Sequence, residues 1–150
     1  MTKGGEVRLS PIFHKEKLMT WLELQDNIRD LGFDDENPET MISSANRAIN
    51  LIKKTLVESN KGYFRMIYED DEWEPVSPTQ ITEETEDEFK IQIPDKLIDL
   101  VPLLAAHYAW LDDDIQKATM YWNEYDDLKN QLVADMVRPQ NAEFWGGLGW

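Results

Sequence analysis

One run of residues constrains the fold more than any other: Leu103-Leu-Ala-Ala-His-Tyr-Ala-Trp-Leu111. A stretch so nearly continuous in apolar residues has no polar face to turn to water, so as a helix it has to be enclosed on most sides. Leu97, Ile98 and Val101 extend it upstream, back to a helix start at Pro94 and Asp95. Pro102 lies inside this segment; it lacks an N–H and clashes one turn back, which predicts a kink or an early break. Asp112, Asp113 and Asp114 follow at once. Three carboxylates there mark a corner and cap the next helix, because its dipole and its free N–H groups favour negative charge. Ile115, Ala118, Trp122, Tyr125, Leu128 and Leu132 then recur at helical spacing as far as about Met136. Residues 94–136 thus read as a helical hairpin whose first arm is the core of the fold.

The segments before it are helical as well. Thr20 and Glu23 have capping-box spacing, Trp21, Leu24, Ile28 and Leu31 form a stripe, and Gly32 suits a C-cap. After an acidic turn at residues 34–37, Pro38 suits a first helical position, and Met41, Ile42, Ala45, Ala48, Ile49, Ile52 and Leu56 form the next stripe. Asn60, Lys61 and Gly62 read as its end. From Tyr63 to Tyr68 aromatic and β-branched residues dominate, and residues 89–93 alternate apolar with polar. Both read as strands of one small antiparallel hairpin. Between them, residues 69–88 form a long acidic loop interrupted by Pro75 and Pro78, of the kind that is usually functional or mobile. The expected fold is therefore mainly α: a four-helix bundle-like domain over residues 18–137, with a small β-hairpin between the second and third helices. Residues 1–17 read as a flexible N-terminal arm and residues 138–150 as a C-terminal docking tail.

Charge and composition narrow the function. The 150 residues fit one domain. There are 30 acidic residues against 15 basic ones, a formal net charge of -15, which repels phosphate backbones and argues against tight nucleic-acid binding. No cysteine is present, so thiolate catalysis, disulfides and cysteine-held metals are excluded. His14 and His107 have no partner at metal or catalytic spacing. The carboxylates occur in solvated runs rather than as a pair in contrasting environments, and the glycines near residue 146 have neither a strand before them nor a helix after. No catalytic residue, cofactor site or metal site is assigned, and a membrane span is not expected. Trp122 and Tyr125 read as core, from their helical spacing.

Two features remain as candidate contact sites. Phe144, Trp145 and Trp150 sit in a glycine-rich tail too short to bury them by itself, and large aromatics commonly anchor partner contacts. Asp70, Asp71, Glu72, Glu83, Glu84 and Glu86 concentrate charge in the long loop.

The order of these segments resembles the head–tail connector (adaptor) proteins of tailed bacteriophages over roughly residues 18–136. The resemblance is carried by Asn46-Arg-Ala48, like the family's Asn-x-Ala, and by Ile91-Gln-Ile-Pro-Asp95, like its strand leading into Leu-Pro-x-Asp. It is strongest at Leu103 to Asp114 and at Lys117-Ala-Thr-Met-Tyr-Trp-Asn-Glu-Tyr-Asp-Asp-Leu128, like the family's apolar helix, acidic corner and second helix. The loop at residues 69–88 is longer and more acidic than the family pattern. The resemblance implies a non-enzymatic subunit of a dodecameric ring in the virion neck, made in the host bacterial cytoplasm. Its implied partners are the portal protein, neighbouring copies of itself and the next neck or tail protein, with DNA passing nearby without specific binding. An acidic lining suits a channel through which the genome must slide. The same charge also fits another class, an acidic DNA mimic that inhibits a nucleic-acid-binding enzyme.

Overall fold

A computed structural model describes residues 18–34 and 38–147, with residues 137–147 described by their backbone alone. The N-terminal arm, the end of the acidic turn and Trp150 lie outside the described residues. The architecture is mainly helical. In chain order it comprises α1 (Trp21–Asp30), α2 (Pro38–Ile52), a π-helical turn (Lys53–Val57), a 3-10 turn (Glu58–Asn60), α3 (Lys61–Tyr68), a second 3-10 turn (Asp95–Leu97), α4 (Leu100–Trp110) and α5 (Ile115–Gly147).

The local signals at α1 act as their chemistry dictates. Thr20 Oγ1 accepts from Glu23 N–H at 3.1 Å while Glu23 Oε1 accepts from Thr20 N–H at 2.9 Å, which satisfies two donors that the first helical turn otherwise leaves open. Gly32, just past the helix, has φ +96°, a left-handed conformation that side chains with a Cβ resist. α4 is the centre of the molecule: Leu100, Val101, Leu104, Ala105 and Ala109 are buried, and it packs against α1, α2 and α5. The chain breaks between the second 3-10 turn and Leu100, so Pro102 falls in the first turn of α4, where its missing N–H costs no helical bond. α5 buries Ala118, Tyr121, Tyr125 and Met136 at helical spacing.

The expected β-hairpin does not form. Tyr63 to Tyr68 lies in α3, where Phe64 and Tyr68, one turn apart, stack at 6.0 Å and Phe64 is fully buried. β-propensity describes fit to a half-buried pleated surface and yields when a helix buries the same rings better. The expected helix end at Asn60 to Gly62 is met in part: α2 runs on through the π and 3-10 turns to Asn60, whose backbone leaves helical geometry at φ -120° and ψ 31°, but α3 starts at once at Lys61 and Gly62 lies in its first turn. Residues 89–93 do alternate, with Ile91 and Ile93 buried, yet they pair with the entry to α1 instead. Ile91 N–H donates to Met19 O and Trp21 N–H to Phe89 O, both at 2.8 Å, around one antiparallel bridge between Thr20 and Lys90. With α3 following directly on α2 and its two turns, and no inserted hairpin among the described residues, the arrangement is not the four-helix bundle-like domain expected. Nor does the last helix stop near Met136; its backbone continues to Gly147, across Pro139 and through Phe144 and Trp145.

Candidate functional site

The acidic loop is pinned rather than loose. Trp73 packs on Phe64 at 5.5 Å and on Tyr68 at 5.4 Å, and Arg65 Nε donates to Trp73 O at 2.8 Å. Glu74 is held by Lys61 Nζ at 3.0 Å and by Arg65; the Lys61 hydrogen bond and the two positive charges hold its carboxyl below the usual range. Further along, Ile81 is buried, and its backbone is gripped at both ends by one side chain. Asn46 Nδ2 donates to Ile81 O at 3.0 Å, and Ile81 N–H donates to Asn46 Oδ1 at 2.9 Å. A primary amide carries one acceptor and a donor pair side by side, so Asn46 offers Ile81 what a neighbouring strand would. Thr79 N–H donates to Gln92 Oε1 at 2.7 Å, which ties the loop to the segment after it.

These anchors divide the candidate carboxylates. Asp70, Asp71 and Glu72 are exposed at the end of α3, where Asp70 Oδ1 accepts from Glu72 N–H at 3.0 Å in a tight turn. Glu83, Glu84 and Glu86 are also exposed, beyond the Ile81 anchor, around a turn in which Thr82 N–H donates to Thr85 Oγ1 at 2.8 Å. Glu83 and Asp87 border a cleft of about 370 Å³ that also includes Arg29, Trp21 and Met41. The first group is tied to α3 and the second to α1 and α2, so the loop does not gather them into one cluster. Among the described residues, no group of three or more His, Asp or Glu side chains is placed to hold a metal ion.

At the corner between α4 and α5 the three aspartates differ. Asp114 Oδ1 accepts from Gln116 N–H at 3.1 Å and from Lys117 N–H at 3.2 Å, an N-cap. Asp112 and Asp113 are exposed. His107 Nδ1–H donates to Ala118 O at 2.7 Å, which joins the two arms of the hairpin behind the corner. Its ring lies 5.2 Å from Trp122, which lies 5.3 Å from Tyr125. Tyr125 is core, as its spacing predicted; Trp122 is 37% exposed and belongs to the surface.

The side chains of Phe144 and Trp145, on the last turns of α5, lie outside the described residues with Trp150. Their backbone position is informative all the same. A helix of 33 residues spans about 50 Å, whereas a compact 150-residue domain is roughly 38 Å across. α5 is therefore longer than a typical domain of this size is wide, and along it Phe144 and Trp145 stand about 12–14 Å beyond Met136.

A second feature was not legible in advance. Leu18, Tyr68, Trp73, Val76, Ile91 and Ile93 line an apolar groove of about 400 Å³ beside the Thr20–Lys90 bridge. Leu18 and Val76 are each 55% exposed. Lys53, the charged residue in its wall, is engaged by Glu58 at 2.8 Å, and that contact lowers the Glu58 carboxyl below its usual range. No local motif announces such a groove, because its walls come from four separate segments.

The chain matches no protein-family profile, no curated protein and no solved structure.

Proposed function

We propose that the chain is a structural subunit of a bacteriophage neck ring, docking on the portal, extending the DNA channel and offering a surface to the next neck or tail component. The observation that carries the reading is the α4–α5 hairpin. An enclosed apolar helix, a capped acidic corner and a helix of 33 residues follow one another in the order in which the connector-like segments stand. The Asn46-Arg-Ala48 segment adds support: Ala48 is buried and Asn46 fixes the acidic loop, so both residues have structural work there. The exposed faces of α5 and of the loop present Glu124, Asp127, Asp70, Asp71 and Glu72 to solvent, a surface past which DNA slides without adhering. In this reading the chain does no catalysis, and the end of α5 with Phe144, Trp145 and Trp150 is the docking element.

Native mass spectrometry of the purified chain, alone and with the portal protein of the genome that encodes it, tests the proposal. A ring, or a monomer that becomes a ring on the portal, is expected. Removing residues 141–150 should abolish that assembly at the cost of only the last helical turns. The second reading, a DNA-mimic inhibitor, draws on the same exposed carboxylates. A tight stoichiometric complex with a basic nuclease, together with none on the portal, would replace the first reading with it.

A further inference from the structure

We propose that the apolar groove beside the Thr20–Lys90 bridge is the seat of this chain's own N-terminal segment, residues 7–17, held in cis. The inference is independent of the neck-ring reading. Three observations meet here. The first is direction: the chain enters the domain as an antiparallel partner of residues 89–91, with Ile91 N–H on Met19 O and Thr20 opposite Lys90. In the proposed seating the same register runs on backwards, with Lys17 opposite Ile93 and Glu16 opposite Pro94. Residues 91–94 are one wall of the groove, and Leu18 is already in its lining. Pro94 has no N–H to donate, so a segment added along this edge pairs no further than Ile93 and in the proposed seating crosses the groove mouth from there.

The second observation is composition. Ile12 and Phe13 stand six and five residues before Leu18, a reach of about 20 Å at most, and they are the large apolar residues of the arm closest in sequence to this apolar groove. The third is charge. Residues 1–17 hold four of the 15 basic residues, Lys3, Arg8, Lys15 and Lys17, but only Glu6 and Glu16 of the 30 acidic ones. The segment carries a small net positive charge in a strongly acidic protein. Trp73, one of the lining residues, is followed in sequence by Glu74, which is paired, and preceded by the exposed Asp70, Asp71 and Glu72, while Lys53, the charged residue of the lining, is paired with Glu58. Edge addition by backbone pairing, with apolar anchors and complementary charge, is a recurrent way of seating an extended segment. Being tethered a few residues away, the chain's own segment has a local concentration that a free competitor rarely matches.

The absence of cysteine makes the test clean, since introduced thiols are the only ones. In the full chain, Val76→Cys places a thiol on the groove rim at a position exposed enough to tolerate it. Its reaction with a bulky maleimide should accelerate about tenfold when Ile12 and Phe13 are both changed to Asp, because the apolar anchoring is lost and a carboxylate is not buried in an apolar groove. Ile115→Cys, 61% exposed on α5, should react equally fast in both backgrounds. Circular dichroism confirms the fold of each variant. An unchanged rate at position 76 overturns the proposal. Oxidation of Phe13→Cys/Val76→Cys and Ile12→Cys/Val76→Cys chains should give a disulfide within one chain for at least one pair. A disulfide-linked dimer instead would assign the groove to the arm of a second copy, and no disulfide in either pair would leave the groove to another occupant; both results overturn docking in cis.

Discussion

Replacing Asn46 by Ala strips both backbone groups of Ile81 of their partner while leaving the helix that carries residue 46 intact. Asn46 lies in the middle of α2, where Ala is the better helix former, so any loss of stability has to come from the loop. Two hydrogen bonds disappear, at 3.0 and 2.9 Å. Each is worth about 1 kcal/mol net, and leaving a buried group unpaired costs about 1–3 kcal/mol. The contacts are only partly buried, so water recovers a share of this, and the expected loss is about 2–3 kcal/mol. For a chain of this size that lowers Tm by roughly 5–10 °C. Urea unfolding followed by circular dichroism gives the free energy, with the slope against urea expected to stay constant. Hydrogen exchange at the Ile81 amide should accelerate further than exchange in α4. Asn50→Ala, exposed on the same helix, controls for helix propensity and should move stability by less than about 0.5 kcal/mol. A change that small for Asn46→Ala would refute the idea that this side chain fastens the loop.

Three further outcomes are expected. Asp114→Ala should cost about 0.5–2 kcal/mol in urea unfolding through its lost N-cap, whereas Asp113→Ala should cost little. Gly62→Ala should stabilise by about 0.5–1 kcal/mol, since Gly62 lies inside α3 with nothing within 4 Å of an added Cβ; a loss of stability would count against that placement. Burial, followed by the charges of Tyr108 and Asp126, raises the Tyr125 phenol above its ordinary value of about 10. The folded state therefore holds that proton more tightly, so this stability is complete below pH 10 and lost as pH rises through the higher folded value. Tyr125→Phe should lose urea resistance less steeply between pH 10 and 12 than the parent, and equal slopes would refute the assignment.

What could be read from the sequence was whatever short-range chemistry decides. The Thr20–Glu23 capping box, Gly32 after α1, the start of α2 at Pro38 and the buried stripe of α4 all depend on residues within a turn or two of one another. The misreadings share another cause. Residues 63–68 and 89–93 have strand-like composition, but whether they pair depends on which surface each meets, and Phe64 met the rings of Tyr68 and Trp73 while Ile91 met Met19. Asn60, Lys61 and Gly62 read as a helix end because asparagine and glycine commonly close helices; the backbone does leave helical geometry at Asn60, but a new helix starts at the next residue. The acidic loop was legible as a loop but not as a fastened one, since the Asn46–Ile81 contact joins residues 35 positions apart. The apolar groove, built from four segments, has no signature in any of them.

The π-helical turn at Lys53–Val57 also bears on how the chain can change over generations. A single π turn amounts to one extra residue accommodated within a helix. Deleting one residue from Lys53–Val57 would let the helix relax to α geometry with the flanking faces, Ile49 and Ile52 on one side and Phe64 on the other, still turned toward the core. The same deletion within α2 would swing the residues between it and the π turn, Ile49 and Ile52 among them, by about 100° away from the core. Length variation in this helix should therefore collect at one place, and the neighbouring groove, which takes Lys53 and Val57 into its wall, would change shape each time it did.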